Sequence, residues 1–184
     1  MTFTQDQVWA VVKKIAPKYA LDPYLVMAIC QQESAKVKGQ PTLYDPAIAR
    51  LEQGVYARTT SAMDYASTTE VLLAASWGVM QMMGVSLLGQ GFFERRFALL
   101  SPSEKVWLAE PMSQYHVVKA LNEYDVVLDQ MLEEGCQFFK EQKLDKVGGD
   151  VAKALLRWNG GGNQQYDDEV LARIPKLKAI LKLN

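Results

Sequence analysis

Leu25-Val26-Met27-Ala28-Ile29-Cys30-Gln31-Gln32-Glu33-Ser34 opens as an uninterrupted apolar run and closes on a carboxylate. Asp22 followed by Pro23 supplies an N-cap and a favoured first helical residue, so the spacing predicts a helix from Pro23. On that helix Val26, Ile29, Cys30 and Glu33 fall at i, i+3, i+4 and i+7, on one face. An apolar run of this kind predicts a helix buried nearly all round, with Glu33 emerging from the core at its end. Low dielectric raises a carboxyl's pKa and can keep it protonated near neutrality, as a general acid requires. The plainer reading is a Glu at a fraying helix end, or one paired with an Arg.

Further helices are announced by their caps. Thr4 with Gln7 forms a capping-box pattern ahead of Val8, Val11, Val12, Ile15 and Ala16 at helical spacing. Ser101-Pro102-Ser103-Glu104 is a second such cap with Pro at the first helical position, opening a helix to about Ala109. Periodicity returns over 70–88. A long pattern over 112–141 includes Val117, Leu121, Tyr124, Leu128, Met131 and Leu132, with a break expected at Gly135. Asp150 caps a helix to about Trp158, and a last helix runs from Tyr166 with an interruption at Pro175. Between about 35 and 69 the periodicity fails, and Gly39, Pro41, Pro46 and Gly54 punctuate an irregular region with room for short strands or a brief helix. An irregular stretch of that length in a compact domain is usually functional. The expectation is a single, all-α or mainly α domain over 1–184, with at most a small β element.

Composition narrows the function. The chain has 184 residues, 49% apolar and 22% charged, which is ordinary globular composition. Lys plus Arg total 20 against 21 Asp plus Glu, so overall charge gives no case for nucleic acid. Two cysteines, Cys30 and Cys136, are too few for a disulfide framework and read as small buried hydrophobes. One His and two distant Cys do not assemble a His- or Cys-based zinc site, and no metal or organic cofactor is expected. His116 reads as a helix-surface or satisfied core residue. No apolar stretch approaches the ~18 residues of a membrane span, so stable membrane insertion is not expected. The segment Met1-Thr2-Phe3-Thr4-Gln5-Asp6 lacks a basic n-region and an apolar h-region, so no signal peptide is expected. The basic segment 173–184 carries Arg173, Lys176, Lys178 and Lys182 opposite Ile174, Leu177, Ile180 and Leu181; a packed terminal helix is preferred over a membrane-surface one.

Three segments carry the candidate chemistry: Glu33-Ser34; Ala75-Ser76-Trp77-Gly78-Val79-Met80-Gln81-Met82-Met83-Gly84; and Trp158-Asn159-Gly160-Gly161-Gly162 with Tyr166 after it. Gly78 in an otherwise helical pattern costs about 1 kcal/mol relative to Ala, so something is expected to approach the backbone there. Gln81 among methionines needs a polar partner if buried. Asn159 ends a helix with its amide free to project into a cleft, and Trp77, Tyr124, Trp158 and Tyr166 offer flat surfaces of the kind sugar rings stack upon. Each feature has a structural reading too: close helix packing at Gly78, core methionines, and a simple C-cap at Asn159.

Taken in order, Glu-Ser, Gly-Val-Met-Gln-Met, and Trp-Asn-Gly-Gly with a following Tyr resemble the goose-type lysozyme and soluble lytic transglycosylase superfamily. Within it, the nearer likeness is to the N-acetylmuramidase domain of phage endolysins, through Pro46-Ala47-Ile48-Ala49-Arg50-Leu51-Glu52-Gln53-Gly54-Val55-Tyr56 and the Ser-Trp-Gly and Gln-Met-Met-Gly pieces of the second segment. The chain departs from the family pattern at Trp158, where Tyr is common, at Ala35, where Gly is usual, and around Arg50-Leu51-Glu52.

The resemblance implies a lysozyme-like fold and a peptidoglycan glycosidase cleaving the β-1,4 bond between N-acetylmuramic acid and N-acetylglucosamine. Glu33 matches the catalytic acid that protonates the leaving oxygen, and Ser34 the residue steadying that helix end. Ser76, Gly78, Met80, Gln81, Trp158, Asn159 and Tyr166 match residues of the substrate cleft, placing the amides of Gln81 and Asn159 beside Glu33. Glu52 matches the second acidic residue. Facing Glu33 across ~6.5–9.5 Å, it would act as base for a water and give hydrolysis; otherwise the muramic 6-hydroxyl attacks and the product is a 1,6-anhydro sugar. A wall-binding or virion module that kept the fold without the activity is the non-enzymatic alternative. The implied partner is the glycan strand of bacterial peptidoglycan, reached by a monomer made in the cytoplasm and released by a holin, carried on a virion or injected.

Overall fold

The computed structural model describes residues 2–34, 43–44, 67–109, 111 and 113–182, and the chain is mainly helical. Glu52 and the segment 46–56 lie outside the described residues.

A capping box starts α1 (Gln5–Ile15): Thr4 Oγ1 accepts from the Gln7 N–H at 3.3 Å, and Gln7 Oε1 accepts from the Thr4 N–H at 2.8 Å. Val8, Trp9, Val12 and Ile15 form its buried face. After a 3₁₀ turn and a left-handed Ala20, Asp22 accepts from the Tyr24 N–H at 2.8 Å and α2 (Pro23–Ser34) begins. Every residue from Tyr24 to Cys30 is buried, as the apolar run predicts. The first ladder pairs β1 (Phe3–Thr4) antiparallel with β2 (Leu43–Tyr44), in the register Phe3↔Tyr44.

The next stretch departs from the helical expectation over 70–88. Helix α3 (Ser67–Leu73) stops, and β3 (Ser76–Trp77) turns back antiparallel on β4 (Met82–Met83) before α4 (Gly84–Gly89) starts. Gly78 at φ +75° and Gln81 at φ +51° are both left-handed, a conformation that no α-helix accommodates. Helices α5 (Phe92–Ala98) and α6 (Pro102–Leu108) follow, the latter opened by the expected Ser101/Glu104 capping box.

The long pattern breaks at 125–127 rather than at Gly135, giving α7 (Gln114–Tyr124) and α8 (Leu128–Phe138). Gly135 stays helical, and Met80 packs where its side chain would stand: a Cβ there would lie 2.5 Å from the Met80 sulfur. After a π-helical stretch (Phe139–Leu144), Asp150 caps α9 (Val151–Trp158) by accepting from the Lys153 N–H at 3.1 Å.

The C-terminal pattern splits into α10 (Tyr166–Leu171) and α11 (Ile174–Ile180). Pro175 sits in the first turn of α11, where its missing N–H leaves no helical bond unmade. Leu177 and Leu181 are buried, and the Tyr24 hydroxyl donates to the Leu181 carbonyl at 3.0 Å. The lysine-bearing end is thus a packed helix. Buried apolar side chains from Phe3 to Leu181 form one contiguous cluster, and Cys30 and Cys136 are free thiols within it. Among the described residues no helix is long and apolar enough to cross a membrane.

His116 is a core residue, with Nε2 3.0 Å from the Phe93 carbonyl. A carbonyl only accepts, so Nε2 carries the hydrogen and the buried Nδ1 is left without a hydrogen-bond partner. Burial lowers the His116 pKa, opposed by the Phe93 bond. Because the folded value lies below the unfolded value of about 6.5, the unfolded chain binds more protons as pH falls. The His116 contribution is therefore complete above about pH 6.5 and is lost as pH falls toward the folded pKa. Thermal unfolding followed between pH 7.5 and 5.5 should show Tm falling with acid, and less steeply in His116→Gln.

Candidate active site

At the end of α2 three adjacent side chains go three ways. The Ser34 hydroxyl, fully buried, donates back to the Cys30 carbonyl at 2.9 Å and closes the last turn. Gln32 bridges to the C-terminal helices: its Oε1 accepts from the Arg173 guanidinium (Nε at 3.0 Å), and its Nε2 donates to Glu169 Oε2 at 2.7 Å. Glu33, half-buried, accepts at Oε1 from the Tyr166 hydroxyl at 2.5 Å.

The glycine-rich loop delivers that hydroxyl. Helix α9 ends at Asn159, and Gly160 (φ +70°) and Gly161 (φ +81°) reverse the chain in conformations that disfavour a side chain. The Asn163 carbonyl then accepts from Asn159 Nδ2 at 3.1 Å and from the Tyr166 N–H at 3.3 Å. The Asn159 amide nitrogen is thus engaged within its own loop, not extended into a cleft. Tyr166 opens α10 and is 3% exposed.

Burial pushes the Tyr166 phenol far above its ordinary pKa, and the negative charge of Glu33 and the hydrogen bond to it add to the shift. With its pKa raised, the phenol is the donor in this pair. Its O–H holds the Oε1 side of the Glu33 carboxyl.

The second segment is used chiefly inside the fold. The Gly78 carbonyl accepts from the Gln81 N–H at 3.0 Å and from Gln81 Nε2 at 2.9 Å, while the Gly78 N–H donates to Asp125 Oδ1 at 3.0 Å. A close approach to the Gly78 backbone exists, but the neighbour is Tyr124, whose Cε1 would lie 2.7 Å from an added Cβ. Met80 is fully buried against Gly135, so it presents no surface for a substrate contact. Ser76 is buried with its hydroxyl 3.3 Å from the Met83 sulfur, and Trp77 donates to the Leu72 carbonyl at 2.8 Å.

Among the four aromatic residues read as sugar platforms, Tyr124 and Tyr166 are buried. Trp77 is half-buried, and so is Trp158, whose ring sits edge-on to Phe138 and Phe139 at 6.0 and 5.6 Å. Among the described residues, the aromatic side chains most open to solvent are Trp107 and Tyr115, at 76% and 66%. Neither residue belongs to the three sequence segments that carry the candidate chemistry. A helix as short as α6 has no periodicity long enough to show that only Leu108 faces inward.

No family model, curated protein or solved structure matches the chain. The chemistry therefore rests on the site itself. Glu33 and Tyr166, from the first and third sequence segments, meet; Gln81 and Asn159 donate to Gly78 and Asn163; Glu52 lies outside the described residues. Among the described residues, no group of three or more His, Cys, Asp or Glu side chains is placed to hold a metal ion.

Proposed function

We propose that the protein is a peptidoglycan glycosidase of lysozyme type, cleaving the β-1,4 bond between N-acetylmuramic acid and N-acetylglucosamine with Glu33 as general acid. The observation that carries this reading is the 2.5 Å hydrogen bond from Tyr166 to Glu33 Oε1. The family resemblance names these two residues as site partners on motif order alone, although 133 positions separate them.

A general acid must be half-open to its substrate, held in one orientation and able to exchange a proton. Glu33 is half-buried, its Oε1 is held by the Tyr166 phenol, and its helix end is tied down through Ser34 and Gln32. In its protonated form it donates to the glycosidic oxygen as the C–O bond breaks, and positive charge develops on the muramic acid ring. The cation is quenched by water with Glu52 as base, or by the sugar's own 6-hydroxyl, whose proton returns to the Glu33 carboxylate.

Product mass decides between the two. Digestion of purified peptidoglycan should release fragments with reducing muramic ends if water is the nucleophile. Ends lighter by one water identify the 1,6-anhydro product and a lytic transglycosylase. Intact glycan after prolonged digestion, with the protein bound to it, would mark a wall-binding module instead.

Tyr166 is a positioning residue in this scheme. Tyr166→Phe removes one oxygen from a buried site and leaves Oε1 without that donor. The expected result is a roughly 10–100-fold fall in kcat with KM little changed, consistent with loss of an interaction that orients a catalytic group. A KM effect alone would assign Tyr166 to substrate binding.

A further inference from the structure

Arg173, Lys176, Leu177 and Ile180 follow one another at i, i+3, i+4 and i+7 and so share one side of α11. With α10 and the last turns of α2, that side borders a cavity of about 290 Å³, lined by Gln31, Glu169, Arg173, Lys176, Leu177 and Ile180. Small-ligand sites run from roughly 300 to 1,000 Å³, so an occupant of this one is small. Leu177 is buried and Ile180 is 63% exposed, so an aliphatic strip runs from the core out to the rim.

The Arg173 guanidinium is half-buried and held in place. Its Nε and Nη2 both donate to Gln32 Oε1, the first at 3.0 Å, and Gln32 is fixed in turn by donating from Nε2 to Glu169 Oε2 at 2.7 Å. One neutral oxygen thus occupies one edge of the guanidinium, and Nη1 has no hydrogen-bond partner among the described residues. Neither Arg173 nor the exposed Lys176 forms an ion pair with an acidic side chain among the described residues. The cavity lining therefore sets two positive charges against the single negative charge of Glu169, an excess of one. That excess suits a monoanion, whereas Glu169 opposes the second charge of a phosphate dianion. A guanidinium's planar N–H groups match the two oxygens of a carboxylate, and the aliphatic strip beside it takes an apolar tail.

We infer that this cavity is a binding site for a small aliphatic carboxylate, with Arg173 and Lys176 taking the carboxylate and Leu177 and Ile180 the hydrocarbon. A free branched-chain acid and the C-terminal leucine of a short peptide share that chemistry. The site stands apart from the glycosidase reading, because Glu33 and Tyr166 are not among the residues lining the cavity.

The test is an NMR titration of the full chain, read at the Ile180 δ1 methyl signal, which is identified by its absence in Ile180→Val. The probes are isocaproate, N-acetyl-alanyl-leucine with a free carboxylate, and the same dipeptide as its C-terminal amide. At least one of the two acids should move the signal saturably at millimolar concentration, and the tighter of them identifies the source. The amide should bind about tenfold more weakly than its acid, and Arg173→Gln should weaken the acid by a similar factor, as loss of charge-assisted hydrogen bonds requires. Lys176→Met, a change at an exposed position, should weaken it about threefold and tests the site even if Arg173→Gln fails to fold. Binding should be the same in Glu33→Gln, so the result is independent of whether that variant still cleaves peptidoglycan. A signal that stays fixed with both acids at tens of millimolar overturns the inference, and so does an amide that binds as tightly as its acid. Inorganic phosphate binding more tightly than either acid would also overturn it. Arg173 would then be only a clamp between α2 and α11.

Discussion

Glu33→Gln is expected to abolish release of soluble fragments from purified peptidoglycan while leaving thermal stability nearly unchanged. General acid catalysis is worth roughly 10²–10⁴-fold, and a carboxamide has no proton of suitable acidity to give the leaving oxygen. The amide carbonyl still accepts the Tyr166 O–H that Oε1 receives at 2.5 Å, so the tie between α2 and α10 survives. Loss of activity without loss of fold separates a catalytic carboxyl from a structural one. Fragment release and Tm, measured on one preparation, suffice. A Glu33→Gln protein that clears walls within a few-fold of the wild-type rate would remove Glu33 from the chemistry, and the Tyr166 bond would then be a packing contact.

How much of this is legible before folding depends on how local each cause is. The Thr4, Ser101 and Asp150 caps are read correctly because a side chain bonding a backbone N–H three residues on is a local event. The helix that presents Glu33 is equally local, set by Asp22-Pro23 and the run behind them. The errors fall where a distant partner decides. Residues 76–83 look helical because Val79, Met80, Met82 and Met83 fit several apolar periods, and nothing in a short run tells helix from strand. What decides is Asp125, which takes the Gly78 N–H, and Tyr124, which packs where a Cβ would stand. Gly135 misleads in the opposite sense: its intrinsic cost is visible in the sequence, while its use, room for Met80, is visible only in the packed structure. The Glu33–Tyr166 pair has no local signature, and only motif order suggested it. The exposure of Trp107 and Tyr115 is not written in residue type.

Gly84→Ala is expected to cost about 3 kcal/mol, at the upper end of ordinary overpacking. A Cβ on residue 84 would lie 2.6 Å from the Leu72 carbonyl oxygen and 2.7 Å from the Leu73 Cα. Both are backbone atoms at the end of α3, and Leu73 is itself fully buried, so neither can step aside as a side chain would. The Gly84 N–H also donates to the Ala75 carbonyl at 2.9 Å, which pins the start of α4 against the hairpin. At about 2–4 °C per kcal/mol for a chain of this length, Tm should fall by roughly 6–12 °C. Gly89→Ala is the control. That glycine ends the same helix with nothing within 4 Å of a Cβ, so the change should be neutral or slightly stabilising. Because Gly84 brings no side chain to Glu33, whatever activity Gly84→Ala loses should return on cooling below its lowered Tm. A Tm within 2 °C of wild type would mean that α3 and the hairpin do not meet backbone to backbone. An activity loss that persists in the cold would mean instead that the hairpin sets the geometry of the site and does more than stabilise the fold around it.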